Sequence, residues 1–153
     1  MAAKMRIEYL PISDIKPYEN NPRRNQKAVE AVANSIREFG FKNPIIVDSN
    51  NVIISGHTRR LAALRLGLEK VPVYRATDMS EAQAKAFRLA DNRVAEMAEW
   101  DKDKLKEEIA AIKTISLEDF GFSESLLNDV AQEQTGVKVH VCPRCGAEWT
   151  EKA

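Results

Sequence analysis

Apolar and polar positions lay out a sequence of short elements along the first hundred residues. Residues 6–10 alternate polar and apolar, the period of a half-buried strand. Pro11, Pro17 and Asn20-Asn21-Pro22 then forbid regular structure, so a long loop runs into Arg23-Arg24. Asn25 is placed to cap a helix starting at Gln26, whose Val29, Val32, Ile36 and Phe39 form one stripe and which stops at Gly40. Residues 44–47 and 52–54 are short β-branched runs around Ser49-Asn50-Asn51, a hairpin pattern. Ser55-Gly56-His57-Thr58-Arg59-Arg60 leads into a short helix over 61–66, closed by Gly67. Residues 71–74 read as a further strand, and Pro72 predicts that it lies at a sheet edge, because proline cannot donate to a ladder.

Helical periodicity takes over in the back half. Ser80 with Gln83 forms a capping box for a helix reaching about residue 98. Phe87, Val94 and Met97 mark its apolar side, and Asp91 shares the face of Phe87 and Val94. A carboxylate there must be paired, hydrogen-bonded or bound to a metal. Arg88, Asn92 and Glu96 stack at helical spacing, and Arg88 and Glu96 read as a solvated salt-bridge ladder. A charged helix over 101–113, one or two short helices within 116–130 and a polar linker over 132–136 follow. The order of elements predicts a small α+β domain with a helical appendage.

Composition narrows the class. At 153 residues the chain is close to one domain of ~100–200 residues. Its 44% hydrophobic and 30% charged residues fit a soluble globular protein. No apolar run approaches the ~18–20 residues of a membrane span, and the first six residues are too short and charged for a secretory leader. The expectation is a cytoplasmic protein with no membrane partner. The net charge of zero hides an asymmetry: residues 1–75 carry 13 Lys and Arg against 7 Asp and Glu, and residues 76–134 carry 7 against 14. A basic front half suits an anionic ligand. The plain alternatives are attraction between the halves or a solvated acidic face.

Three segments carry candidate chemistry. Gly56 allows a sharp turn and close backbone approach, and the helix start behind it offers unpaired N–H groups and partial positive charge, an anion site by construction. Arg59 and Arg60 add bidentate donors suited to phosphate, Thr58 a hydroxyl and His57 an imidazole. Two arginines in a first helical turn oppose the helix dipole, which disfavours a merely structural turn. Asp91-Asn92-Arg93 supplies a carboxylate and an amide able to hold Mg2+ on a polyphosphate. Pro22-Arg23-Arg24 presents two further cations to a phosphate or a DNA backbone. In the tail, Cys142 and Cys145 stand at the spacing of a zinc knuckle. Two cysteines make half a structural site; His140 would be a third ligand, or a second chain would donate its own pair, giving a homodimer. A redox dithiol and a plain tail are the competing readings, and Trp149 favours the ribbon.

The run of Asn21-Pro22-Arg23, Gly40 to Val47, Ile54 to Ala63, Val71-Pro72-Val73 and Ala90 to Arg93 resembles the ParB N-terminal domain of the ParB/sulfiredoxin superfamily, particularly its phage and mobile-element members. The resemblance covers residues 6–98 and implies a mixed sheet with packed helices. An acidic helical extension over 99–131 and a linker with the zinc-knuckle-like tail over 132–153 would follow it. It further implies a pocket for CTP or ATP with Mg2+, in which Gly56, His57, Thr58, Arg59 and Arg60 hold the triphosphate. Asn92 and Arg93 would contact phosphate and Asp91 the metal, and residues 40–47 would face the base. In the family's Glu-Asn-x-x-Arg segment this chain has Asp91-Asn92, and Ala95 stands where the later arginine belongs. Action with DNA and slow nucleotide hydrolysis are the implied function, with a nuclease, a free-serine-kinase-like phosphotransferase or a non-catalytic interaction module as alternatives. The thiol that sulfiredoxin needs is missing from Gly56-His57-Thr58-Arg59, which sets that chemistry aside.

Overall fold

A computed structural model describes residues 6–24 and 26–122, together with the backbone of two strands in the tail. The chain forms two compact units, Met1–Glu99 and Trp100–Ala153. In the first, the order is β1 (Ile7–Pro11), α1 (Val29–Phe39, entered through a 3-10 turn at Gln26–Ala28), β2 (Ile45–Val47), β3 (Ile53–Ser55), α2 (His57–Arg65), β4 (Lys70–Arg75) and α3 (Glu81–Glu96). The four strands make one mixed sheet in the order β1-β4-β2-β3. β1 runs antiparallel to β4, β4 parallel to β2, and β2 antiparallel to β3. Asn25, the expected cap of the first helix, lies outside the described residues.

Each face of this sheet has its own apolar cluster. Ile45, Val47, Ile53, Val71 and Val73 pack with Ala63 of α2 and with Ile12 and Ile15 of the loop after β1. Strand alternation sends Ile54, Ile46 and Tyr74 to the other face, where they meet Ala76, Met79, Ala84 and Phe87. α3 therefore crosses that second face.

Four expectations need correction. β4 is an inner strand, flanked by β1 and β2. Pro72 is tolerated because β2 pairs with β4 only from Val73 to Arg75, so the ladder on that side starts beyond the proline. Val94 and Met97 are exposed, because the inner face of α3 runs through Ala84, Phe87 and Arg88, and small Ala84 lets the helix approach. Arg88 is thus buried rather than part of a solvated ladder. Phe39, at the end of the α1 stripe, is also largely exposed.

In the second unit, α4 (Lys102–Ala111) is capped by the Asp101 carboxylate, which accepts from the Lys104 amide. A 3-10 turn follows at Glu118–Phe120, and the rings of Trp100 and Phe122 meet at 6.0 Å between centroids. Strands β5 (Val137–Val141) and β6 (Glu148–Lys152) pair antiparallel, with Val141 opposite Glu148. The expected helix over 123–130 and the zinc-knuckle residues Cys142 and Cys145 lie outside the described residues. No helix among the described residues is long and apolar enough to cross a membrane.

Candidate anion-binding site

The site is organised by the junction of β3 and α2. Ser55 ends the strand and Gly56 turns the chain at φ 106°, a left-handed conformation that an L side chain adopts only with strain. A Cβ at Gly56 would stand 3.2 Å from Arg59 Nε and 3.4 Å from the Cα of Ile45, so β2 and Arg59 close around the bare turn. Gly56 provides no side-chain cap for α2, whose first amides therefore face outward as donors.

Two clusters flank this junction. On one side, the Arg59 guanidinium donates from Nη1 to the carbonyls of Asn43 (3.0 Å) and Pro44 (2.5 Å), and from Nη2 to Ser55 Oγ (3.2 Å). The buried Ser55 hydroxyl donates to Asp91 Oδ2 at 2.8 Å, tying β3 to α3. Burial lowers the Arg59 pKa, and the nearby Asp91 charge partly opposes that shift. Asp91 accepts the Ser55 bond although it is itself exposed, so its place after Phe87 does not bury the carboxylate as the helical spacing suggests.

On the other side lies a pocket of about 350 Å3, lined among others by Tyr18, Arg23, Arg24, His57 and Arg60. Its size falls at the lower end of small-molecule sites, roughly 300–1,000 Å3. No carboxylate appears among its lining residues. Arg60 Nε donates to the Ile15 carbonyl at 2.9 Å, which lays the side chain along the loop. The Tyr18 amide donates to His57 Nε2 at 3.2 Å, so the neutral imidazole carries its proton on Nδ1. Burial lowers the His57 pKa below its ordinary 6.5, and the charges of Arg88 and Arg60 lower it further.

A clasp joins the loop to α3. Arg23 Nη1 donates to Asn92 Oδ1 at 2.5 Å, and its Nη2 lies 3.5 Å from Glu96. Asn92 Nδ2 in turn donates to the Arg88 carbonyl at 2.7 Å. Arg93 is exposed and pairs with Glu96 at 3.3 Å. Thr58 sits half-buried in the first turn of α2. The structure therefore gathers His57, Arg60, Arg23 and Arg24 around one pocket, while Arg59 and Asp91 meet at Ser55. Arg93 occupies the outer side of α3.

Three participants lie outside the residues that the sequence patterns single out: Ser55 reads as a lead-in to the glycine, Tyr18 as loop and Arg88 as surface. The signal for Arg88 was its spacing: four residues after Ala84 and three before Asp91, it falls on the helix stripe that meets the sheet.

A family model described as the ParB N-terminal domain matches residues 1–93. The chain is 34% identical over 84 residues to the ParB-like nuclease domain-containing protein YnaK of Escherichia coli, covering 54% of this chain and 97% of that one. It is 31% identical over 151 residues to the probable plasmid-partitioning protein ParB of Thermus thermophilus, covering 94% of this chain and 48% of the relative. It thus spans nearly all of the first protein and about half of the second. Among solved structures, it is similar to the C-terminally truncated chromosome-partitioning protein ParB from Caulobacter crescentus complexed with CTP-gamma-S. The TM-score is 0.57 at 20% identity, over 84% of this chain and 86% of that one, a likeness of fold.

Proposed function

The chain belongs to the ParB N-terminal domain family, and from that premise we propose that it binds a Mg2+-nucleoside triphosphate, CTP or ATP, in the Tyr18–His57–Arg60 pocket and acts with DNA. The observation that carries this reading is the lining of that pocket: three arginines and a histidine, no carboxylate, and the uncapped start of α2 beside it. Such a site favours a polyanion by charge and by oriented amides together. The CTP-gamma-S complex of the Caulobacter protein supports the nucleotide class. The partitioning names of the relatives, with the basic charge of residues 1–75, support DNA as the setting.

In this reading Arg60 and Arg24 meet phosphate, Gly56 permits the close approach, and His57 and Thr58 add contacts at the helix start. Arg23 swings from Asn92 and Glu96 onto the ligand. Arg59 holds the turn in shape through the Asn43 and Pro44 carbonyls. Mg2+ takes few protein oxygens and keeps phosphate and water ligands. One exposed carboxylate suits that habit, and Asp91, held by the Ser55 hydroxyl at the end of β3, offers it. Asp91 would hold the ion, which would neutralise phosphate charge when bound.

Calorimetry with CTP, ATP, GTP and UTP in the presence of Mg2+ tests the assignment. Arg60→Ala is expected to weaken binding of the preferred nucleotide at least tenfold. Unchanged affinity in a folded Arg60→Ala protein would refute the site.

A further inference from the structure

Arg88 is the least expected side chain in the molecule. It is 8% exposed, yet among the described residues it makes no ion pair. Arginine is almost never fully buried unless paired, because its charge loses hydration that nothing returns. Here two neutral groups receive it. Nε donates to the Ile53 carbonyl at 3.0 Å, and the guanidinium lies over the Tyr18 ring, 4.0 Å from its centroid. A methionine would fill the same space without desolvating a charge. The cation therefore has a use that packing alone does not supply.

Its neighbours show where that use lies. Tyr18 and Ile53 both line the pocket, and Arg88 touches each from behind. The Tyr18 amide donates to His57, which lines the same pocket. Asn92, which holds Arg23 across the clasp, donates to the Arg88 carbonyl. One buried side chain thus braces the ring and strand that form the pocket wall, and no carboxylate lines that pocket.

We propose that Arg88 is a positioning residue for the pocket: stacked behind Tyr18 and bonded to β3, it fixes the Tyr18 ring and its link to His57 in the arrangement that receives an anionic ligand, and adds positive potential without touching it. The charges facing His57 are then Arg88 from α3, Arg60 from its own helix, and Arg23 and Arg24 from the loop lining the pocket. All are cationic, and burial first, then Arg88 and Arg60, lower the imidazole's pKa. The ligand part of this inference rests on the nucleotide reading above; the effect on His57 does not.

Three variants of the full chain test it: Arg88→Met, Arg88→Lys and Tyr18→Leu. Two quantities are measured, the His57 pKa by NMR and the affinity for the Mg2+ salts of CTP and ATP by calorimetry. Arg88→Met is expected to raise the His57 pKa and to weaken binding about tenfold, the loss usual when a group orienting a ligand-binding side chain is removed. Arg88→Lys keeps the charge, so His57 stays depressed, but an ammonium cannot both lie flat on Tyr18 and reach Ile53, so affinity still falls. Tyr18→Leu removes the stacked ring and is expected to weaken binding as well. Wild-type affinity in folded Arg88→Lys and Tyr18→Leu overturns the proposal, and these two variants decide it if Arg88→Met does not fold. If the unaltered protein binds neither nucleotide, the functional reading falls and the His57 titration alone decides: a rise in Arg88→Met supports the role, and an unmoved pKa overturns it.

Discussion

Gly56 and Glu96 show how single residues set the site from opposite directions. At Gly56 a positive φ and a crowded Cβ position coincide. Gly56→Ala is expected to destabilise the fold by about 1–2 kcal/mol from the left-handed conformation alone. More follows because Arg59 must give way and loosen its hold on the Asn43 and Pro44 carbonyls. Urea denaturation measures the change. Glu96 acts against the ligand. It shares Arg23 with Asn92 and also pairs with Arg93, so a phosphate that takes Arg23 must displace it. Exposed pairs of this kind are worth ~0–1 kcal/mol. Glu96→Gln is therefore expected to raise nucleotide affinity by about two- to fivefold at low ionic strength. The gain should vanish as salt screens the pair, which calorimetry at two salt concentrations reads directly.

At the scale of elements, the junction depends on α3 being fastened to the ends of strands. Ser55 joins β3 to α3 through Asp91 and accepts from Arg59 in α2, so three elements meet at one buried hydroxyl. Ser55→Ala leaves Asp91 and Arg59 without that partner and is expected to cost about 1–3 kcal/mol. Hydrogen exchange should quicken in the turn around Asp91, while the Ser80–Gln83 capping box at the other end of α3 stays protected. The pH response belongs to the helix start. Because burial and the flanking arginines depress the His57 pKa, the unfolded chain takes up the proton first as pH falls below about 6.5. Stability is therefore expected to drop as the pH is lowered through that range, and His57→Gln should flatten this part of the melting profile. These couplings also explain what the sequence made legible. Strand, glycine and helix around Ser55–Arg60 follow from local patterning, and every element of the first unit falls within a few residues of its predicted place. The inner position of β4 did not follow, because it depends on how far β2 extends alongside Pro72. Burial of Arg88 did not follow either: charge marks a surface residue unless a ring and a carbonyl distant in sequence converge on it.

The whole molecule divides at Glu99, and the division bears on which part holds the function. All the pocket-lining residues, the Ser55 cluster and the Arg23 clasp fall in Met1–Glu99. This part is a compact unit by itself, and the alignment with the E. coli relative is of similar length, 84 residues. A fragment of residues 1–99 is therefore expected to melt in one cooperative transition. It should bind nucleotide as tightly as the full chain, with stabilisation of ~2.7 kcal/mol at a hundred times the dissociation constant. The tail poses a separate question. Cys142 and Cys145 stand in the segment between β5 and β6 in the sequence. If that segment holds zinc, Cys142→Ser abolishes the metal content of the full chain and leaves the nucleotide-dependent shift in melting temperature intact. Loss of the shift in Cys142→Ser, or its absence from the 1–99 fragment, would mean that the pocket in Met1–Glu99 is not self-sufficient.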